Sequence, residues 1–265
     1  MRPLAAVTLL LAASAAGAQA PRAYSYDFRL EPGGKKEHEV IRGTVRVSGT
    51  RARVDTDERD NGDDYLLVAD GGRTVYVVHA DTKTYEQHDA DDFARVVGTA
   101  MRAVGPVVKF SVKDVRLDSA RLGAGTTIAG RRTERVQLRQ HWRTSIRVMG
   151  FTKDDMTGSA VSEYWADPSL PLMRNPLLDI ISTSLLALAA SDEDFLEQGD
   201  AAKAKLFRGS PLKADIRMRV GGDDSDDDTH LRYEVTRFTP GAVNAADLEV
   251  PRGYRRTSER STFRM

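Results

Sequence analysis

Apolar and polar residues alternate without interruption near the start of the chain, from position 24 to position 31. Successive side chains of a β-strand point to opposite faces of a sheet, so a period of two predicts a strand with one buried face. Residues 23–32 are therefore predicted to form a half-buried antiparallel strand. Its apolar positions are Tyr24, Tyr26, Phe28 and Leu30.

Short turn sequences divide the following segments into further strands of the same period. Residues 65–87 read YLLVADGGRTVYVVHADTKTYEQ, which predicts three strands joined by a Gly-Gly turn and an Asp-Thr-Lys turn. Short strands joined by tight turns are typical of an antiparallel meander, so the fold is expected to be mostly β. Other strands are predicted around Val45 and Val54 and over 106–118, 131–149, 159–165, 211–220 and 229–238.

Two segments have a helical period instead. Residues 89–105 begin with acidic residues, carry apolar residues on one side and end at a Gly-Pro pair. Residues 174–198 contain Asn175, a predicted N-cap, and Pro176, which suits the first helical position. The fold class expected from these patterns is α+β, mostly antiparallel β, with a few helices.

The first twenty residues have the organisation of a secretory signal peptide. Arg2 precedes an apolar stretch of about ten residues, and the sequence AGA at 16–18 is a small-x-small cleavage site. This apolar stretch has about half the length that a membrane-spanning helix needs. We therefore expect residues 1–18 to be cleaved and the mature protein to be periplasmic or secreted, without spanning a membrane.

The 265-residue chain has no internal repeat of fixed period and no Pro- or Ser-rich linker, so a single domain is expected at residues 19–256. Residues 257–265 are expected to form a basic C-terminal tail. Because the chain has no cysteine, the hydrophobic core must hold the fold without disulfides. Its 39 basic and 39 acidic residues give a formal net charge of zero, so no nucleic-acid partner is expected.

Catalytic and metal-binding motifs are missing from the sequence. Neither G-x-S-x-G nor H-E-x-x-H occurs, and a chain without cysteine cannot use thiol catalysis or thiolate zinc sites. No two of the five histidines have the spacing that aims two imidazoles at one metal. His79 is interpreted as a hydrogen-bonded partner of the sheet. We expect a non-enzymatic protein without cofactor or metal, with a hydrolase as the alternative.

Two loops have compositions that resemble known motifs. The acidic run Asp223–Asp228 has the carboxylates that calcium prefers, but it lacks the glycine and the distal glutamate of an EF-hand loop. A calcium site and a solvated hairpin tip that prevents edge-to-edge pairing both remain open interpretations. Residues 123–130 read GAGTTIAG, with the third glycine displaced from the nucleotide-binding spacing, so a β-hairpin turn is predicted there.

The most apolar part of the predicted mature chain is NPLLDIISTSLLALAA, residues 175–190. Its apolar positions spread around more than one face of a helix, so one side would meet the sheet while another is left over. Polar residues interrupt it, and it is too short to cross a bilayer. A core helix beneath the sheet and the wall of a cavity for an acyl chain are the two interpretations.

Several segments together resemble an exported domain family of uncharacterised function that is related in fold to the lipoprotein carriers LolA and LolB. The resemblance implies a strongly curved antiparallel half-barrel wrapped around a few helices, with an apolar interior. It also implies that Leu248, Val250 and Tyr254 pack against the last strands while the neighbouring arginines stay outside. The matching segments are residues 65–87, TTIAGRRTERVQL (126–138), SEYWADPSLPL (162–172), GSPLKADIRMRV (209–220) and YEVTRFTPGAVNAADLEVPRGYRR (233–256).

The function predicted at this point is that of a soluble exported protein that binds or carries a lipid or a lipoprotein acyl chain in the half-barrel cavity. The alternative is an envelope protein-interaction module, whose core is filled by its own side chains and whose partner is another envelope protein. The residues expected to contact the apolar ligand are Tyr24, Tyr26 and Phe28 from the first strand and Leu177, Ile181, Leu185 and Leu188 from the second helical segment.

Overall fold

Twelve strands form a single sheet in the computed structural model. The structure describes residues 23–33, 40–57, 64–89, 108–148, 151–170, 201–202, 205–221 and 228–257. The strands are β1 (Ala23–Gly33), β2 (Ile41–Ser48), β3 (Arg51–Thr56), β4 (Tyr65–Ala69), β5 (Thr74–His79), β6 (Thr84–Asp89), β7 (Val108–Ala124), β8 (Glu134–Val148), β9 (Phe151–Asp167), β10 (Ser210–Gly221), β11 (Asp228–Pro240) and β12 (Arg255–Arg256).

The strands lie side by side in the order β12-β6-β5-β4-β3-β2-β1-β11-β10-β9-β8-β7. Every neighbouring pair is antiparallel except β12 and β6, which run parallel. The first strand pairs with both β2 and β11, so the two halves of the chain meet at β1. The outermost strands are β12 and β7, and the sheet is open.

The prediction of an α+β half-barrel wrapped around helices is wrong for the described part of the chain. That part is nearly all β, has no helix of seven or more residues, and forms one large open mixed sheet. The period-two alternation that dominates these residues favours strands throughout. Apart from Asp89, the predicted helix at 89–105 lies outside the described residues, and so does all of the predicted helix at 174–198.

One face of the sheet, here called the inner face, carries the larger hydrophobic core. The alternation predicted for β1 is confirmed, since all four of its apolar side chains are buried on this face. The ring of Phe28 stacks on Tyr233 of β11 at 5.8 Å between centroids. It also lies over Gly43 of β2, where an added Cβ would come within 2.8 Å of the ring. A glycine at this position lets the aromatic ring pack directly on the backbone.

The opposite face, here called the outer face, is partly covered by the end of the chain. A 3-10 helix at Ala245–Leu248 lies against β2 and β3, and its Leu248 is buried. Val250 and Tyr254 then pack on a small cluster from β4 and β5, and β12 extends the sheet next to β6. Leu248, Val250 and Tyr254 therefore pack on the sheet, but the prediction that they pack against the last strands is wrong, because they lie on the first half of the sheet.

The turn predicted within residues 123–130 is confirmed as part of the β7–β8 hairpin. Ile128 and Arg131 form an isolated antiparallel bridge, and the two residues between them have positive φ angles of 47° at Ala129 and 77° at Gly130. Positive φ at both central residues defines a type I′ turn, which matches the twist of paired strands. Among the described residues, no helix has the length and apolar character needed to cross a bilayer.

Candidate functional site

The three ligand contacts predicted on the first strand lie together on the inner face. Tyr24, Tyr26 and Phe28 are all buried there, and Tyr24 is only 3% exposed. Their role as ligand contacts stays a prediction. The four contacts predicted on the second helical segment, Leu177, Ile181, Leu185 and Leu188, lie outside the described residues, so their placement relative to β1 stays a prediction too.

The two buried tyrosines of β1 are held as neutral phenols. Burial raises the pKa of Tyr24 to about 12, and hydrogen bonding to Ser210 offsets only part of that effect. Burial also raises the pKa of Tyr26 well above its ordinary value, and the neighbouring tyrosines Tyr233 and Tyr24 raise it further. The ring of Tyr24 stacks on Phe238 at 5.1 Å between centroids. An ionised phenolate at either position would be strongly disfavoured in the folded protein.

Stability should therefore fall at alkaline pH. The folded-state pKa of Tyr24 lies above the unfolded value of 10.0, so its contribution is fully present below pH 10 and is lost as pH rises through about 12. A shift of this size corresponds to roughly 3 kcal/mol of unfolding free energy. Urea unfolding at a series of pH values from 8 to 12 measures the loss, and Tyr24→Phe should make it smaller. An equally steep loss in Tyr24→Phe would contradict the assignment.

Gln140, in the middle of β8, is a polar residue on the apolar inner face. It is 1% exposed, and its side-chain nitrogen has no hydrogen-bond partner within the described ranges. In the register of β8 and β9, Gln140 lies opposite Ala160, and the next pair on the same face is Leu138 with Ser162. The side chains of Ala160 and Ser162 are both small. A buried amide without a partner costs about 1–3 kcal/mol, and such groups are few in native proteins. A hydrogen-bond acceptor for the amide nitrogen would therefore have to come from outside the described residues.

The chemistry available around Gln140 is narrow. An amide nitrogen only donates, so its complement is an oxygen acceptor such as a carbonyl, ester or ether. The buried neighbours on the same face of β8 are Val136, Leu138 and Trp142, so the rest of such a ligand would have to be apolar. Sequence reasoning did not single out Gln140. The signal was present, because Gln140 interrupts the alternating apolar residues Val136, Leu138 and Trp142 of β8.

A second feature is a cleft of about 550 Å³ where β7 leads into β8. Four arginines line it, Arg121, Arg132, Arg135 and Arg208, together with one acidic residue, Glu134. We call it the arginine cleft. The turn beside it is tightly built, since the Thr133 hydroxyl donates to the Thr126 carbonyl at 2.6 Å and the amide of Gly125 donates to the Thr133 carbonyl at 2.8 Å. The walls of the cleft are therefore preformed.

A third feature is a chain of hydrogen-bonding side chains at the β5–β6 end of the inner face. His79 contacts Asp64 through Nδ1 at 2.7 Å, and its Nε2 lies 3.4 Å from Glu86. His88 contacts the other oxygen of Glu86 at 2.9 Å. The interpretation of His79 as a hydrogen-bonded partner is confirmed. Within the described ranges, no group of three or more His, Cys, Asp or Glu residues has the arrangement to hold a metal ion.

Most of the acidic run that could form a calcium loop lies outside the described residues. Of Asp223–Asp228, only the backbone of Asp228 is described, as the first residue of β11. No family model matches the chain, and no curated protein matches it.

Proposed function

We propose that this protein is a non-enzymatic binding protein whose inner face takes an apolar ligand that carries a carbonyl group, such as an acyl ester. The observation that supports this proposal is the buried amide of Gln140, whose nitrogen is without a partner in the described chain. A ligand carbonyl that accepts a hydrogen bond from this nitrogen would remove the free-energy cost of burying a donor without a partner.

Apolar contact supplies the affinity in this proposal, and the amide supplies the selectivity. Burying apolar surface contributes about 25 cal/mol per Å², so a long acyl chain provides several kcal/mol. One hydrogen bond adds about 1 kcal/mol, which is enough to favour an ester over the corresponding alkane by several-fold. Ala160 and Ser162, the β9 residues beside Gln140 on the inner face, have small side chains that do not hydrogen-bond to the amide nitrogen.

The predicted export and the resemblance to the lipoprotein-carrier fold stay predictions, and the proposal does not depend on them. The alternative of an envelope protein-interaction module also stays a prediction. The two functions are separable, because a protein-interaction module has no need for a hydrogen-bond donor sealed inside its own core.

Replacing Gln140 with leucine tests the proposal. Leucine fills a similar volume and removes the unpaired donor, so Gln140→Leu should raise the free energy of unfolding by about 1 kcal/mol. The same change should weaken binding of methyl palmitate about fivefold and leave binding of hexadecane unchanged. Urea unfolding measures the first effect, and native mass spectrometry of delipidated protein measures the second.

Gln137→Leu is the matched control, because Gln137 lies on the same strand but on the outer face, where it donates to Glu163 at 2.7 Å. This variant should bind both probes as the wild-type protein does. The proposal fails if methyl palmitate does not bind, or if Gln140→Leu binds it as tightly as the wild-type protein.

A further inference from the structure

The arginine cleft lies at the edge of the sheet, beside β7. β7 is an edge strand, and its register against β8 shifts between Arg121 and Gly123. The shifted residue, Leu122, is 42% exposed and is the only large hydrophobic side chain exposed in the part of the chain that the structure describes. Arg208 reaches the same cleft from the segment that precedes β10. The cleft is thus built from residues of β7, β8 and a distant loop.

Two of the four arginines already have partners. Arg135 makes a forked contact with Glu163 at 3.0–3.2 Å and lies 5.7 Å from the ring centroid of Trp165. Arg121 donates to the backbone carbonyl of Lys205 at 3.2 Å, a neutral acceptor that leaves its charge unbalanced. These contacts hold both guanidinium groups in position. Only the contact between Arg135 and Glu163 neutralises a positive charge.

The other two arginines, Arg132 and Arg208, are exposed and have no carboxylate partner among the residues described. Elsewhere on the sheet, arginines such as Arg53 and Arg237 contact aspartates at 2.6–2.7 Å. Glu134 is the one acidic residue that lines the cleft. Among the described residues, the cleft has three guanidinium groups without a carboxylate partner and one carboxylate, which gives it a local positive charge, although the chain as a whole has a net charge of zero.

Convergent guanidinium groups favour one class of ligand above others. Each presents several N–H donors in a planar fork that matches the oxygens of a phosphate group, and such charge-assisted hydrogen bonds are stronger than neutral ones. The volume of about 550 Å³ falls in the usual range for small-molecule sites and exceeds what a phosphate alone would fill. A cleft of this size therefore has room for an organic part attached to the phosphate.

We propose that the arginine cleft is an anion-binding site that takes a phosphate ester, held by Arg121, Arg132 and Arg208. The site is independent of the proposed ligand of the inner face, and neither depends on the other. The phosphate ester has two sources, a soluble phosphomonoester and the headgroup of an anionic lipid. Glu134 opposes binding in both cases, because its carboxylate faces the same cleft.

Four full-length proteins test the site. Arg132→Ser/Arg208→Ser should weaken binding about tenfold or more, since it removes two charged donors. Glu134→Gln should tighten binding about threefold, since it removes one repelling charge. Arg73→Ser is the matched control, because Arg73 is an exposed arginine on the β4–β5 turn, in the other half of the sheet. The wild-type protein is the fourth.

Each protein is titrated with glycerol 3-phosphate by calorimetry and sedimented with vesicles of phosphatidylcholine that contain phosphatidylglycerol. If glycerol 3-phosphate binds most tightly to Glu134→Gln and most weakly to the double arginine variant, the ligand is identified as a soluble ester. Binding to vesicles alone, in the same order, identifies a lipid headgroup. Failure to bind either probe overturns the site, and so does an Arg73→Ser loss equal to that of the double variant. Methyl palmitate binding is measured separately, so a failure here is distinguishable from a failure of the proposed function.

Discussion

Replacing Phe28 with alanine should lower the free energy of unfolding by about 4 kcal/mol, because the variant leaves a cavity at the centre of the inner face. Phe28 is 2% exposed and stacks on Tyr233, which is itself fully buried. Its ring also covers the backbone at Gly43, where no side chain is available to fill the vacated space. Urea unfolding followed by circular dichroism measures the loss.

The control for this prediction is Phe28→Leu, which keeps most of the apolar volume and should cost about 1 kcal/mol. If alanine and leucine cost the same, the ring of Phe28 does not occupy a close-packed position. The pair of variants therefore separates loss of volume from loss of aromatic character.

Replacing Asp167 with alanine should cost about 3 kcal/mol, since it removes a buried carboxylate that accepts hydrogen bonds from Arg131 and Ser169. The side chain of Asp167 is 3% exposed and accepts from the Arg131 Nε at 2.6 Å. It also accepts from the backbone amide of Ser169 at 2.9 Å and from the Ser169 hydroxyl at 2.7 Å. These bonds tie the tip of the β7–β8 hairpin to the end of β9.

Glu234→Ala is the matched control, because Glu234 pairs with Lys213 at 2.9 Å on the surface of the sheet. An exposed pair of this kind is worth about 0–1 kcal/mol. Thermal unfolding of both variants measures the contrast, and similar losses would show that burial does not set the value of the Asp167 contacts. Asp167→Ala should also weaken phosphate-ester binding, since Arg132 directly follows Arg131 in the clamped hairpin.

The strands were predictable because their signal is local. The alternation in β1, the turns between β4, β5 and β6, and the positive-φ turn at Ala129 and Gly130 are each encoded within a few residues. The packing of Leu248 and Val250 on the sheet was also foreseen, with Leu248 buried and Val250 partly buried. Their partners were not, since nothing in a local pattern states which strands a chain terminus will cover.

The fold class and the candidate sites depended on information that local patterns do not contain. The helical periods at 89–105 and 174–198 suggested an α+β protein, whereas the described chain is organised by strand pairing. The arginine cleft joins Arg121, Arg132 and Arg208, which become neighbours only after β7 pairs with β8 and the segment before β10 folds back. Gln140 was visible as a break in an apolar pattern, but only its lack of a partner makes it informative.

The position of β1 between β2 and β11 has a consequence for the order of folding. The Thr236 hydroxyl donates to the Asp27 carbonyl across 209 residues of chain. Contacts this distant in sequence form only after a large loss of chain entropy on loop closure. A high contact order therefore slows folding. During synthesis, the backbone N–H and C=O groups of β1 that pair with β11 therefore stay without their partners until almost the whole polypeptide has emerged. Shielding of these groups from other nascent chains is a kinetic requirement of this topology.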